Sequence, residues 1–190
     1  MSIKRCNWVS DDPVYIAYHD EEWGVPVHDE QRLFEFLILE TFQAGLSWIT
    51  ILRKRENFRI AFDDFDYKKV ALYDKKKVSS LLSDAGIIRN KLKIRSAISN
   101  AQAFIKIQEE FGSFDKYIWG FVKGKPIQNE FSLLSNVPPK TELAEKLSKD
   151  LKKRGFKFVG PTVVYAHMQA TGMVNDHITD CFRYKEVQST

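Results

Sequence analysis

The sequence predicts an all-α protein, and three observations carry that reading. Apolar residues recur at roughly 3.6 spacing through most of the chain. Cap residues and glycines punctuate the periodic stretches at intervals that suit helices of ordinary length. The one strand-like fragment, "FKFV" between Gly155 and Gly160, is too short to seed a sheet.

The elements follow in order. Asp12 and Pro13 read as an N-cap and first helical position, opening "PVYIAYHDEEW". Asp29 can cap "EQRLFEFLILETFQA", which Gly45 closes, and Ser47 starts "WITILRKRENFRIAF". Asp74 can cap "KKKVSSLLSDA", closed by Gly86, and "NKLKIRSAISNAQAFIKIQEEF" runs to Gly112. "DKYIWGFV" makes a short helix before the turn-rich "KGKPIQNEFSLLSNVPP", in which no function is legible. "TELAEKLSKDLKKR" stops at Gly155, and "PTVVYAHMQATG" begins at Pro161 and ends near Gly172. No internal repeat or low-complexity linker divides the chain, so residues 1–190 are expected to form a single helical domain.

Composition bounds the function. Hydrophobic residues make up 44% and aromatics 13%, ample for a buried core. The formal charge of +4 permits a polyanion partner without requiring one. The start "MSIKRCNWVSDD" has no apolar leader and no stretch is long enough to span a bilayer, so a cytoplasmic location and no membrane partner are the expectations. Thiols stay reduced there, which disfavours a Cys6–Cys181 disulfide.

Those two cysteines each have a histidine companion. His177 and Cys181 are spaced i, i+4, which on a helix would place both on one face, and twelve residues separate Cys6 from His19. A Cys2His2 set suits one tetrahedral Zn2+ per chain in a structural site, with no position open to substrate. Two buried thiols and two ordinary histidines are the plainer alternative.

Glu40 sits inside the apolar run "LFEFLILETFQ". A buried carboxylate needs a partner or a ligand, so Glu40 is either a salt-bridged residue on a polar strip with Gln43 or a recognition group. Trp8, Tyr15, Tyr18, Trp23 and Trp48 cluster near it in sequence, as core or as a stacking pocket for a flat ligand. In "LKKRGFKFVGPT" a helix ends in Lys152, Lys153 and Arg154, turns, and restarts at Pro161 and Thr162. The backbone N–H groups after Gly160, with Lys153, Arg154 and Lys157 near, suit a DNA phosphate; ordinary helix capping is the alternative.

Taken together, "CNWVSDDPVYIAYHDEEWGVP", "LE" followed by "QAGLSWITILRKRENF", "DAGII", "LKKRGFKFVGPT" and "VNDH" with Cys181 resemble the 3-methyladenine DNA glycosylase I family over almost the full chain. The wider resemblance is to helix-hairpin-helix base-excision glycosylases. It implies an all-helical fold that hydrolyses the N-glycosidic bond of 3-methyladenine in alkylated double-stranded DNA and releases the free base. By that resemblance Cys6, His19, His177 and Cys181 hold zinc, Glu40 is the essential glutamate, and Trp8, Tyr15, Tyr18 and Trp48 form the base pocket. Leu46 in "AGLSW" is then a candidate wedge for the gap left by the base, and Lys153, Lys157, Gly160 and Thr162 are candidate DNA contacts.

Two departures bear on mechanism. Where most of the superfamily has an aspartate in a "VDTH"-like motif, this chain has Asn175, with Asp176 next to it. Where bifunctional members have a nucleophilic lysine this chain has Thr162, so no lyase activity is expected, and Phe158 replaces the hairpin's usual first glycine. The rival readings are a zinc-stapled helix-hairpin-helix DNA-binding module without catalysis, and a zinc hydrolase of small molecules, which would need an open metal position.

Overall fold

The computed structural model describes residues 3–189. Its organising element is α2 (Glu30–Gln43), capped by Asp29, whose carboxylate accepts the Arg32 N–H at 2.9 Å. Every residue from Leu33 to Phe42 is buried, as a helix apolar around its circumference requires. Packed around it are α3 (Trp48–Ala61), α6 (Lys91–Phe111), α7 (Phe114–Gly120) and α9 (Pro161–Ala170). α4 (Tyr67–Val70) and α5 (Lys75–Ser83) lie on α6, and α8 (Glu142–Lys153) lies on α9.

α1 (Pro13–Ala17) starts where Asp12 accepts the Val14 N–H at 2.9 Å. It does not continue as an α-helix to Trp23. Tyr18–Glu22 form a π-turn, closed by Trp23 N–H on the Tyr18 carbonyl at 2.9 Å. Such single π-turns often occur at functional sites. This one holds Tyr18 and His19, both buried, as successive residues with different destinations.

Burying Glu35 in α2 is compensated by cations. Arg55 Nε and Arg59 Nε donate to it at 2.8 and 2.9 Å, and Arg55 also reaches Glu22 at 2.8 Å. The network ties α2 to α3 and to the π-turn, and removing one partner from such a buried pair costs ~3–5 kcal/mol.

Two expectations need correction, while residues 156–159 seed no sheet, as their length predicts: Phe156 and Val159 are both buried anchors of a tight turn, and Phe158 is exposed at φ 57°. A left-handed φ at Phe158 explains why glycine is the usual residue there. The strand pairing that does occur is a short parallel ladder of β1 (Ile127–Gln128) with β2 (Val174–Asn175), which has no alternating sequence pattern to betray it. His177 and Cys181 do not sit on a helix. They belong to a turn in which Asn175 Oδ1 accepts the His177 N–H at 3.2 Å and Cys181 N–H bonds the Ile178 carbonyl at 2.8 Å.

The backbone of residues 25–26 passes directly over Gly172. Gly172 has φ +68°, and a Cβ there would lie 2.4 Å from the Pro26 nitrogen. Only glycine fits both constraints.

Candidate functional site

α1, the π-turn, α2, α3 and α9 converge on a cavity of about 270 Å³, near the lower end of the ~300–1,000 Å³ usual for small-molecule pockets. Its aromatic walls are Trp8, Tyr15, Tyr18, Trp23 and Trp48. Trp8 is the hub, 5.0 Å from both Tyr15 and Trp23 by ring centroids, and Tyr18 lies 5.5 Å from Trp48. The sequence-predicted base-pocket residues Trp8, Tyr15, Tyr18 and Trp48 are therefore brought together, with Trp23 added.

Glu40 lines this cavity and is 3% exposed. The salt-bridged alternative fails: among the described residues no cation or hydrogen-bond donor compensates it, and burial alone pushes its carboxyl up to about 8. The Tyr15 and Tyr18 hydroxyls are raised by burial first and then by the charge of Glu40. An unpaired carboxylate facing an aromatic cavity marks a recognition group in want of a cationic or hydrogen-bond-donating ligand.

Asp176, not Asn175, is the second carboxylate of the cavity. It accepts from Tyr165 Oη at 2.6 Å, Gln169 Nε2 at 2.7 Å and Asn129 Nδ2 at 2.7 Å. Asn175 is spent on structure, donating to Gln128 Oε1 at 2.8 Å and the Tyr184 carbonyl at 3.0 Å. The 124–139 loop also contributes Leu134 and Val137 to the cavity, which sequence reasoning missed. Nothing in that stretch signals it, because the loop is positioned by Asn129 and the β1–β2 ladder rather than by any periodicity of its own.

Beside the cavity, Cys6, His19, His177 and Cys181 are all buried, and their donor atoms lie within 4.8 Å of one another. Cys6 Sγ is 3.5 Å from His177 Nδ1, and Cys181 Sγ is 3.5 Å from His19 Nε2. The remaining ring nitrogens are engaged outward: His177 Nε2–H donates to the Trp23 carbonyl at 3.0 Å, and His19 Nδ1–H to Asp20 at 2.7 Å. Those outer bonds fix the tautomers that leave the inward nitrogens free to ligate. The four can hold a metal ion, and four protein donors would complete a tetrahedral shell, an arrangement that does not favour a small-molecule metallohydrolase.

The remaining candidates lie outside both clusters. Leu46 is 38% exposed just after α2. Lys153, Lys157 and Thr162 are exposed, and Gly160 is the N-cap of α9. Ala166 and Gln169 of the same helix line the cavity, so hairpin and pocket share one rigid element. Arg154 is no phosphate ligand. It pairs with Asp150 and Glu110, each at 2.7 Å.

Comparison with known proteins places this all-α scaffold, with its aromatic, carboxylate-bearing pocket one helix away from a basic hairpin, among the glycosylases, enzymes that open an N-glycosyl bond. The model of the methyladenine glycosylase family matches residues 8–184, and the chain belongs to that family. It is 50% identical over 182 residues to DNA-3-methyladenine glycosylase 1 of Escherichia coli, covering 96% of this chain and 97% of that protein. It is 48% identical to DNA-3-methyladenine glycosylase of Haemophilus influenzae, covering 93% and 96%. A crystal structure of 3-methyladenine DNA glycosylase I superposes with a TM-score of 0.92 at 51% identity over 94% of this chain and 98% of that one. The Staphylococcus aureus enzyme, whose structure concerns 3-methyladenine recognition, gives 0.92 at 38% identity over 96% and 97%. Membership of an enzyme family at this identity sets aside the non-catalytic DNA-binding module.

Proposed function

We propose that this protein, acting as a single-domain monomer in the cytoplasm, excises 3-methyladenine from alkylated double-stranded DNA and releases the free base without cutting the strand. The observation that carries the substrate is Glu40, a buried carboxylate of the aromatic cavity that has no cation or hydrogen-bond partner among the described residues. 3-Methyladenine in a nucleotide is cationic, and adenine is not. With its carboxyl raised to about 8, Glu40 is mostly protonated at neutral pH in the empty pocket. An arriving cation favours the carboxylate, so lesion binding expels one proton and leaves a matched ion pair, which neutral adenine cannot repay with a charge of its own.

Extrusion of the base costs a few kcal/mol, least for a lesion that weakens pairing or stacking. Trp48 and its aromatic neighbours offset part of that, cation–π attraction contributing ~0.5–2 kcal/mol. Leu46 is the side chain offered to the vacated stack. Lys153, Lys157, Thr162 and the amides after Gly160 hold the phosphates by charge and at the N-terminus of α9.

The chemical step then needs little acid. The glycosidic electron pair passes to the cationic ring, which leaves as neutral 3-methyladenine. Water adds to the sugar cation at C1′ and loses a proton, for which Glu40 and Asp176 are the carboxylates at hand. Thr162 offers no amine for a Schiff base, so the enzyme is monofunctional. Cys6, His19, His177 and Cys181 would hold a zinc ion that takes no part in the chemical step and would brace the wall that carries Trp8, Tyr18 and Trp23.

Chromatography of bases released from methylated duplex DNA tests the reading. The protein should liberate 3-methyladenine and leave 7-methylguanine, with Glu40→Gln greatly slowed. Full-rate release by Glu40→Gln would remove Glu40 from the mechanism, and no release by the folded, zinc-loaded parent would remove the function.

A further inference from the structure

Lys93 is a charged side chain in a place that packing does not require. It is 6% exposed, near the start of α6, with its backbone N–H capped by Asn90 Oδ1 at 3.1 Å. Its ammonium donates to the Phe42 carbonyl at 2.8 Å and to the Ala44 carbonyl at 2.7 Å. These are carbonyls at the C-terminal end of α2, where a cation also meets the negative end of the helix dipole. The carbonyl between them, that of Gln43, accepts the Leu46 N–H at 2.6 Å. Thus three successive carbonyls of the turn 42–46 are occupied, two of them by one lysine on another helix. Gly45, at φ +81° with open space around it, gives the turn no packing restraint of its own.

From this geometry we infer that Lys93 is a positioning residue for excision, clasping the turn that joins pocket-lining Gln43 to the exposed Leu46. The inference rests on the proposed glycosylase reading and extends it to a residue that touches neither base nor phosphate. A methionine of similar length would fill the space without desolvating a charge, which burial disfavours. An ammonium kept in the interior reflects the two carbonyls that only a donor can satisfy. The clasp fixes where Leu46 stands relative to the pocket, so its effect falls on a base being held out of a duplex and not on a free base already in the cavity.

The test uses the full chain as Lys93→Met, Lys93→Gln, Leu46→Ala and the Lys93→Met/Leu46→Ala double variant. Three quantities are read: thermal melting, tryptophan-fluorescence titration with free 3-methyladenine, and release of 3-methyladenine from methylated duplex. Lys93→Met should bind the free base as the parent does and release it from duplex about tenfold more slowly, the loss expected for roughly one charge-assisted hydrogen bond. Lys93→Gln, which keeps a donor, should recover part of the rate. The double variant should be no slower than the slower single one, because both act through one turn. Parental release by Lys93→Met, multiplicative slowing in the double variant, equal loss of free-base binding, or failure of both Lys93 variants to fold would each overturn the assignment. An inactive parent would instead overturn the glycosylase reading, so the two failures are distinguishable.

Discussion

His177 Nε2 lies 3.0 Å from the carbonyl oxygen of Trp23, and the two rings meet edge to face at 4.6 Å. His177 belongs to the four-residue cluster and Trp23 to the cavity wall, so one hydrogen bond joins the two sites. Gly24 has to be small for this contact: a Cβ there would stand 3.0 Å from His177 Nε2.

The first prediction concerns that link. Metal analysis should find one zinc per chain, and Cys181→Ser should lose it. Chelation should lower the melting temperature and weaken fluorescence-detected binding of 3-methyladenine together, since Trp23 loses its anchor. A metal-free protein with parental melting would sink the proposal of a structural zinc.

The second follows from the sign of the Glu40 displacement. Its carboxyl rises from an ordinary 4.5 to about 8 on folding. Below 4.5 both states are protonated and nothing is lost. As pH climbs from there the unfolded chain ionises first, so folded stability falls until pH passes about 8, each unit of displacement corresponding to about 1.4 kcal/mol. Glu40→Gln lacks that slope. Its melting temperature should therefore gain on the parent's across this window, and a constant difference would mean Glu40 is not buried as described.

A third prediction uses His167, which is 1% exposed and whose ring nitrogens have no hydrogen-bond partner among the described residues. Burial lowers it from 6.5 to about 3, so it stays neutral and contributes stability above its unfolded value. That contribution is lost as pH falls from 6.5 towards 3, where the unfolded chain takes up the proton first. His167→Leu should flatten the acid limb of stability measured by urea unfolding. An unchanged acid limb would assign acid sensitivity to other groups.

Gly172→Ala supplies the fourth. The new methyl would overlap the Val25–Pro26 backbone at a φ that disfavours any side chain. A loss of at least ~2 kcal/mol in urea unfolding is expected, and a near-neutral result would show that the crossing can open.

Much of this molecule is legible in its sequence, and the exceptions share a cause. Asp12, Asp29 and Asp74 cap helices where the pattern places them, since capping depends on residues only two or three apart. Residue type and family resemblance point to the candidate metal set and the aromatic pocket, and their side chains do converge. What the sequence concealed depends on distant partners. The Asn129–Asp176 bond spans 47 residues, and it places Leu134 and Val137 on the pocket. The π-turn at Tyr18–Glu22 looks like continuous helix until Trp23 is seen bonding back to Tyr18. Glu35 and Glu40 share one helix and one degree of burial, yet only the first has arginines. That difference is set by α3 and is invisible in α2 alone.

The cluster of Cys6, His19, His177 and Cys181 is flanked by a backbone bond from Phe182 to the Lys4 carbonyl at 3.0 Å. Unzipping from either terminal segment has to break this knot first. With its two terminal segments joined there, the chain is topologically close to a ring that can be opened at an interior loop. A protease nick between 124 and 139 should leave two pieces that stay associated, and a circular permutant opened there should still fold.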